Sequence, residues 1–557
     1  MNNKHIFLLN YHTASFTPMV QETIAIKNIA VAANLVRDAI VKTLQTTATK
    51  KQKAIGIVAA ILVSCYIIRD RILKPPKSLR HLRYEGFFQV LKSIFNNESY
   101  WDRAHRSILP IINKEDENGL YVRPGTNGWE VHVTNPAAAK LILYKHDKFP
   151  KREIQEKNKT TTLLPKFVVG GRNIVFLNHQ EWKAQRKIVN PAFHRSAPVK
   201  LFGELTVELF RVMDKMNEDT IDVGDIMQRL TLDVIGKAGF GFDFHAISQK
   251  DNKWVKTYNS VISGIQDPLY AIFPILDRKF LWLLPKRRKV HEDLNRFLKM
   301  LEEVIEVKKM AIKNGDTQNK DLEENEKDLL TLMIESINRG EGVMTDTELK
   351  SNLSLFFLAG HDTTSNTLSF VIYYLAKNPE IQQRAREEAE EILGKGPGDV
   401  LPTLEQTKAA TYIDHVMKET LRINGPVTQI FRTSTEDTVL SGQFIPKKTE
   451  IVVDIFNIQH SEKVWKDADE FNPDRFAEGG EGDLATREGL AWLPFGGGAR
   501  QCIGINFSLT EQRVFLLMLL RKFTWSLPEN SKHKNNVISK GIIIGPDQLY
   551  VIFKNRY

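Results

Sequence analysis

Ten residues near the C-terminal end, Phe495-Gly496-Gly497-Gly498-Ala499-Arg500-Gln501-Cys502-Ile503-Gly504, constrain this chain more than any other segment. The 557 residues include only two cysteines, Cys65 and Cys502, and the second sits in this glycine-rich loop two positions after an arginine. Glycine allows positive φ and a close backbone approach where a Cβ would clash. A loop of that kind lets N–H groups converge on a sulfur and leaves room above it for a flat ring, as a thiolate that ligates iron requires. Gly504 is expected to let the next helix start tight against such a ring. The bland alternative, a buried cysteine beside a turn, has no need of the fixed spacing. With average residue usage, Phe-x-x-Gly-x-Arg-x-Cys-x-Gly arises by chance in a chain of this length roughly once in ten thousand.

That spacing is the signature of the cytochrome P-450 family, and the chain resembles its membrane-bound eukaryotic members along nearly all of residues 75–557. The resemblance implies a mainly α fold: a large helical domain with a smaller β-containing region, and haem b held between a distal helix and the cysteine loop. It makes Cys502 the axial ligand of the haem iron and places Phe495 among the cofactor-binding residues. Arg500 is expected on a haem propionate, for which its planar guanidinium is suited.

Three upstream matches extend the resemblance. Glu419-Thr420-Leu421-Arg422 places a glutamate and an arginine one helical turn apart, where such pairs interact. Phe471-Asn472-Pro473-Asp474-Arg475-Phe476 supplies a second arginine. In the family, Glu419, Arg422 and Arg475 form a buried structural triad, and two arginines around one carboxylate leave a positive core offset by backbone carbonyls. The third match, Ala359-Gly360-His361-Asp362-Thr363-Thr364, interrupts the apolar run from Leu353 to Leu375. Aspartate and threonine there compete with helical hydrogen bonds, and a mid-helix glycine costs about 1 kcal/mol against alanine. A kinked core helix is the alternative to a functional one. By resemblance, a locally opened turn makes a groove for dioxygen, Thr363 positions the oxygen-derived group, and Asp362 relays protons. His361 is expected on the helix surface. Trp182-Lys183-Ala184-Gln185-Arg186 and Arg432 resemble further propionate anchors.

The formal net charge of +10 raises the question of nucleic acid. Residues 1–83 hold 13 Lys+Arg against 3 Asp+Glu, and the remainder is balanced at 64 of each. The basicity belongs to the leader, so no nucleic-acid partner is expected. Within the leader, Ala54 to Ile68 is a 15-residue run without charge, short of the roughly 20 residues that span a bilayer. The readings are a membrane-anchor helix over 54–74 extended by snorkelling arginines, an internal signal sequence, a membrane-surface helix, or a buried core helix. Six basic residues in 69–83 against four in 39–53 favour an anchor with the body on the cytoplasmic side. The division expected is a basic leader over 1–53, the anchor over 54–74 and a catalytic domain over 75–557. The leader also reads as a mitochondrial presequence, although it holds a single arginine, Arg37. The endoplasmic reticulum membrane is the expected location and a mitochondrial membrane the alternative.

The proline-interrupted apolar block 268–285 falls where the family connects two helices over the substrate entrance, against the bilayer. The polar stretch 314–327 reads as an exposed connection. The resulting expectation is a haem-thiolate monooxygenase that hydroxylates or epoxidises an apolar small molecule. Its electrons come from NADPH through a separate cytochrome P-450 reductase. Gly-His-Asp-Thr-Thr resembles the fatty-acid ω-hydroxylase branch, which often has a glutamate where Ala359 stands, so a covalent haem link is not expected. A peroxide-rearranging isomerase or dehydratase and a non-catalytic haem sensor are the rival classes. Asp362-Thr363 argues against the first, and the distal groove against the second.

Overall fold

The computed structural model describes Asp38 and residues 49–557, except 72, 97, 115–117, 126–127, 155–158, 160, 196, 217–219, 251, 268, 271–272, 316–326 and 489–490. Nearly all of the leader 1–53, most of the polar stretch 314–327 and three residues of the 268–285 block therefore lie outside the described residues. The chain divides into two compact units, Met1–Asn96 with Tyr121–Val131, and Asn97–Leu120 with His132–Tyr557.

The first unit contains helix α1, Lys50–Arg71. It ends ahead of Pro75-Pro76, where Arg80 donates to the carbonyls of Asp70 (2.8 Å) and Pro75 (2.9 Å). The same guanidinium pairs with the Asp70 carboxylate at 2.9 Å and holds its pKa below the usual range. Ile55, Val58, Leu62, Val63 and Tyr66 are exposed on α1. Among the described residues no helix is long and apolar enough to cross a membrane. The stretch expected as an anchor, 54–74, falls on this helix and its C-terminal flank, and the helix carries charges at both ends. Its 15 uncharged residues rise about 22 Å at 1.5 Å each, against about 30 Å of hydrocarbon.

The second unit is mostly helical, with small sheets, as expected. Its longest described helix is α6, which follows α2 (His179–Arg195), α3 (Val223–Val234), α4 (Lys253–Gln266) and α5 (Pro285–Lys313) in the chain. Helix α6, Asp346–Lys377, has 32 residues and runs about 48 Å. A capping box starts it: the Thr345 hydroxyl accepts from Glu348 N–H, and the Glu348 carboxylate accepts from Thr345 N–H. Asp346 and Glu348 place negative charge at the positive end of the helix dipole. Pro379, which cannot continue it, opens the next helix, α7 (Pro379–Leu393).

Helix α6 is buried on most of its faces, packed against α3 and α5 and, through Tyr258, against α4. Leu353, Phe357, Leu368 and Val371 are fully buried. Phe357 packs edge-on to Phe297 at 5.0 Å, and Phe297 stacks on Phe167 at 5.5 Å. Replacing Phe357 with alanine would cost about 3–5 kcal/mol by cavity formation. The polar groups in this core are satisfied: Ser351 donates to the Val168 carbonyl (2.6 Å), and Asn352 donates to Gln185 (2.9 Å). Two further helices are α8 (Thr411–Asn424), which carries Glu419 and Arg422, and α9 (Ile505–Lys522), which follows the glycine-rich loop. Strands β1 (Gln429–Thr433) and β2 (Glu450–Asp454) pair antiparallel, with Arg432 opposite Ile451. Strands β3 (Phe523–Ser526) and β4 (Tyr550–Asn555) form a second antiparallel pair. In the 268–285 block, Leu269, Phe273, Phe280, Trp282 and Leu283 are exposed.

Candidate functional site

The glycine-rich loop is closed by its own backbone. Cys502 N–H donates to the Phe495 carbonyl (2.9 Å), Gln501 N–H to Gly498 (3.0 Å) and Gly496 N–H to Leu493 (2.9 Å). Gly496 and Gly498 have φ of 68° and 66°, which side chains rarely adopt. A Cβ on Gly498 would also lie 2.9 Å from the Leu143 carbonyl oxygen. The φ of Gly504, −86°, suits any residue, and among the described residues an added Cβ would meet only Phe193, at an ordinary 3.5 Å. Phe495 lies 6.1 Å from the Trp492 ring. Cys502 is solvent-accessible. Surrounding protein pushes its thiol pKa up, while the Gly504 N–H and the Arg186 charge pull it down.

Around the loop the structure gathers cations. Arg500 donates to the Leu177 carbonyl (2.7 Å), the Asn178 side chain (3.1 Å) and the Ile174 carbonyl (3.4 Å). Its guanidinium lies over the Trp182 ring at 4.0 Å. Arg186, one turn beyond Trp182 on α2, donates to the Gln501 carbonyl at 3.0 Å, next to the cysteine. Arg432 on β1 is buried and donates to its neighbour's carbonyl, Phe431 (2.9 Å). Burial presses the Arg432 pKa down to about 10; burial, then Arg432 and Arg186, press Arg500 down to about 10. Both remain charged at neutral pH. Lys151 joins them: burial, then Arg432 and Arg500, hold its pKa well below the usual lysine value. No sequence pattern marked Lys151, because it comes from an irregular segment outside any motif.

Below the loop, Glu419, Arg422 and Arg475 meet. Arg422 donates to Glu419 through Nε (2.7 Å) and Nη2 (2.9 Å). Its remaining donors reach the carbonyls of Gln459 (2.7 Å), Ala468 (2.8 Å) and Glu470 (3.1 Å). Arg475 donates to Glu419 (3.3 Å) and to the carbonyls of Lys466 (2.5 Å) and Asp467 (2.7 Å). The expected positive core is corrected by a residue the spacing did not reveal. Glu481 accepts from Arg475 at 2.7 Å, so two carboxylates balance two guanidiniums.

In α6, Ala359 is exposed and Thr363 half-buried, one turn apart on a helix otherwise largely covered. The opened turn expected there is absent: the helix is continuous, and Thr363 Oγ1 donates to the Ala359 carbonyl at 2.6 Å. Asp362 is buried and accepts from the Tyr258 hydroxyl at 2.9 Å. Burial pushes its pKa up to about 7, with Tyr258 pulling the other way. His361 is not on the surface, as expected, but 1% exposed. Its Nδ1 is 2.9 Å from Thr231 Oγ1 on α3, and burial drives its pKa down to about 3. The spacing 353, 357, 361 places it on the apolar stripe, a signal that outranked its polarity.

A comparison with protein families matches the cytochrome P-450 model over residues 122–553. The chain belongs to the cytochrome P-450 family. The 11-oxo-beta-amyrin 30-oxidase of Glycyrrhiza uralensis is 28% identical over 517 residues, which cover 86% of this chain and 93% of that protein. The cytokinin hydroxylase of Arabidopsis thaliana is 27% identical over 423 residues, 74% of this chain and 77% of that protein. Protein LUTEIN DEFICIENT 5, chloroplastic, of the same plant is 28% identical over 404 residues, 71% of this chain. The chain spans 65% of the length of that relative.

As a cytochrome P-450 the protein is a haem-dependent monooxygenase, and its residues fit the cofactor. Trp182 Nε1, Arg432 Nε and Arg500 Nε are buried N–H groups with no partner among the described residues. Such orphaned donors cost about 1–3 kcal/mol each, and they sit in a cluster of like charges. The two propionates of haem would supply acceptors and negative charge together.

Proposed function

We propose that Cys502 ligates the haem iron and that the protein inserts one atom of dioxygen into an apolar small molecule, by hydroxylation or epoxidation. Electrons would come from NADPH through a separate cytochrome P-450 reductase. The observation that carries this reading is the juxtaposition of an accessible cysteine, in a loop closed on Phe495, with the partnerless donors of Trp182, Arg432 and Arg500. Haem, when bound, supplies dioxygen activation, favoured by electron density from the thiolate. Gly504 N–H and Arg186 favour the ionised sulfur, and Arg186 fixes the loop through Gln501. Arg432, Arg500, Trp182 and Lys151 would hold the propionates. Because the Thr363 hydroxyl donates to Ala359, its oxygen lone pairs are left to accept a hydrogen bond from a bound group. Glu419, Arg422 and Arg475 keep the platform beneath the loop rigid.

Thr363→Ala tests the distal assignment. Without that hydroxyl, proton delivery should misdirect and release hydrogen peroxide, while NADPH oxidation continues. Positioning and proton-transfer groups contribute typically 10²–10⁴-fold, and water can replace a hydroxyl in part, so product per NADPH should fall by about 10²-fold or less. Unchanged coupling, measured with a substrate found in a binding-spectrum screen of lipids, sterols and terpenoids, would make Thr363 only a helix residue. Turnover of a lipid hydroperoxide by wild type without a reductase would instead favour the isomerase.

The location we propose is the endoplasmic reticulum membrane, with the catalytic unit in the cytosol. The exposed apolar residues of α1 and the exposed Phe280, Trp282 and Leu283 support a bilayer as partner. Deleting residues 1–74 should move most of the protein from the membrane to the soluble fraction, with residual attachment through the apolar 268–285 block. Partitioning like that of the full chain would remove α1 as the principal attachment, and imaging the intact protein separates reticulum from mitochondrion.

A further inference from the structure

Asp362 and Thr363 are neighbours in sequence, yet their side chains bond to different things. Thr363 is tied to the backbone of its own helix. Asp362 is tied to another helix, through the hydroxyl of Tyr258 on α4 at 2.9 Å. The other oxygen of the Asp362 carboxyl lies 3.6 Å from His361 Nε2, and His361 Nδ1 is within 2.9 Å of the Thr231 hydroxyl on α3. Three helices thus contribute to one buried polar chain. Tyr258 is held rigidly in it: it is 1% exposed, and its ring lies 4.7 Å from Phe357 and 5.3 Å from His361.

A buried carboxyl that accepts one hydrogen bond is balanced between its two protonation states. Burial favours the acid, and a donor favours the carboxylate. The titratable groups that face Asp362 are Tyr258 from α4 and His361 from α6, while α3 contributes the neutral Thr231 hydroxyl. Burial keeps the imidazole neutral, so it brings no charge. Tyr258 stays a donor throughout the physiological range, because burial and the Asp362 charge push its own pKa well above the usual value. Among the described residues, the Tyr258 phenol is the donor that both fixes the carboxyl and tips its ionisation.

We propose that Tyr258 is a positioning residue for proton delivery: its hydroxyl holds the Asp362 carboxyl toward α4 and sets the pH at which Asp362 gives up or takes a proton. The proposal rests on the monooxygenase reading, in which Asp362 relays protons. Tyr258→Phe removes only the hydroxyl and keeps the ring contacts. A hydrogen bond to a charged group of this kind corresponds to about one to two pH units, and its loss disfavours the carboxylate. The midpoint of Asp362 should therefore rise by that amount.

The experiment is an infrared pH titration of the holoenzyme, following the carbonyl band of a buried protonated carboxyl. In the difference spectrum against Asp362→Asn, which cancels the bands of the other buried carboxyls Asp233 and Glu511, wild type should show a band that titrates near neutrality and Tyr258→Phe should show it at higher pH. The pH at which product per NADPH is half-maximal should move the same way, which a purely structural role for Tyr258 would not cause. An unchanged midpoint in Tyr258→Phe, or a difference spectrum between wild type and Asp362→Asn with no band that titrates near neutrality, overturns the proposal. The spectrum of the reduced, carbon-monoxide-bound protein is recorded on the same samples. Loss of its thiolate band in wild type would strike the monooxygenase reading, while an unmoved infrared midpoint beside an intact band strikes the role of Tyr258 alone.

Discussion

Cys502→Ser should abolish both the thiolate spectrum and the monooxygenase activity while leaving the fold in place. The reduced, carbon-monoxide-bound wild type should show the red-shifted Soret band that the resemblance implies, and the serine variant should not. A serine hydroxyl is a far weaker acid than a thiol, so neither the Gly504 N–H nor the Arg186 charge, which favour an ionised sulfur, would bring it to the anion at neutral pH. The electron donation that favours O–O cleavage is lost with the sulfur. Product formation should fall to background, a larger effect than any positioning residue can have. The secondary structure should survive because Cys502 lies in a loop between elements, outside any helix or strand. Circular dichroism should therefore match wild type, while the denaturation midpoint should fall by the stabilisation that bound haem supplies. A serine variant with the red-shifted band intact would falsify the ligand assignment.

How far the sequence could be read depended on whether the residues of a site are contiguous. The cysteine loop is local, so its spacing alone placed Cys502, Arg500 and Phe495 in one turn, and the structure closes that turn through the Phe495 carbonyl. The Glu419–Arg422 pair was legible because one helical turn brings them together, and Arg475 because its segment resembles a known motif. Glu481 escaped because it lies in an unremarkable polar stretch and becomes meaningful only when the chain folds back on Arg475. Lys151 and Tyr258 escaped for the same reason, since each meets its partners across long sequence separations. His361 was misplaced by its polarity. Periodicity, with Phe357 one turn before it, was the better guide, and the Thr231 hydroxyl makes its burial tolerable. The sequence could not show that Gly498 is demanded by a close approach to the Leu143 carbonyl.

The other large effect is expected at Glu419, which touches nothing that reacts. Glu419→Ala should destabilise the protein by about 3–5 kcal/mol, the range for removing one partner of a buried ion pair. Glu419 and Arg422 have no solvent exposure, so the freed guanidinium groups cannot be rehydrated without opening the core. Against a total stability of about 5–15 kcal/mol, that loss is enough to leave much of the protein unfolded or unable to retain haem. Glu419→Gln keeps the shape and one acceptor but not the charge, and should fall between alanine and wild type. Glu481→Ala provides the internal control. Its side chain is 33% exposed, water can take its place beside Arg475, and partly exposed pairs contribute only about 0–1 kcal/mol. The order expected in denaturation midpoint and in recovered carbon-monoxide spectrum is therefore wild type, then Glu481→Ala, then Glu419→Gln, then Glu419→Ala. A Glu419→Ala protein with a midpoint close to wild type would mean that the carbonyls of Gln459, Ala468 and Glu470 hold Arg422 unaided. The platform under the cysteine loop would then owe its rigidity to backbone acceptors rather than to the buried charge.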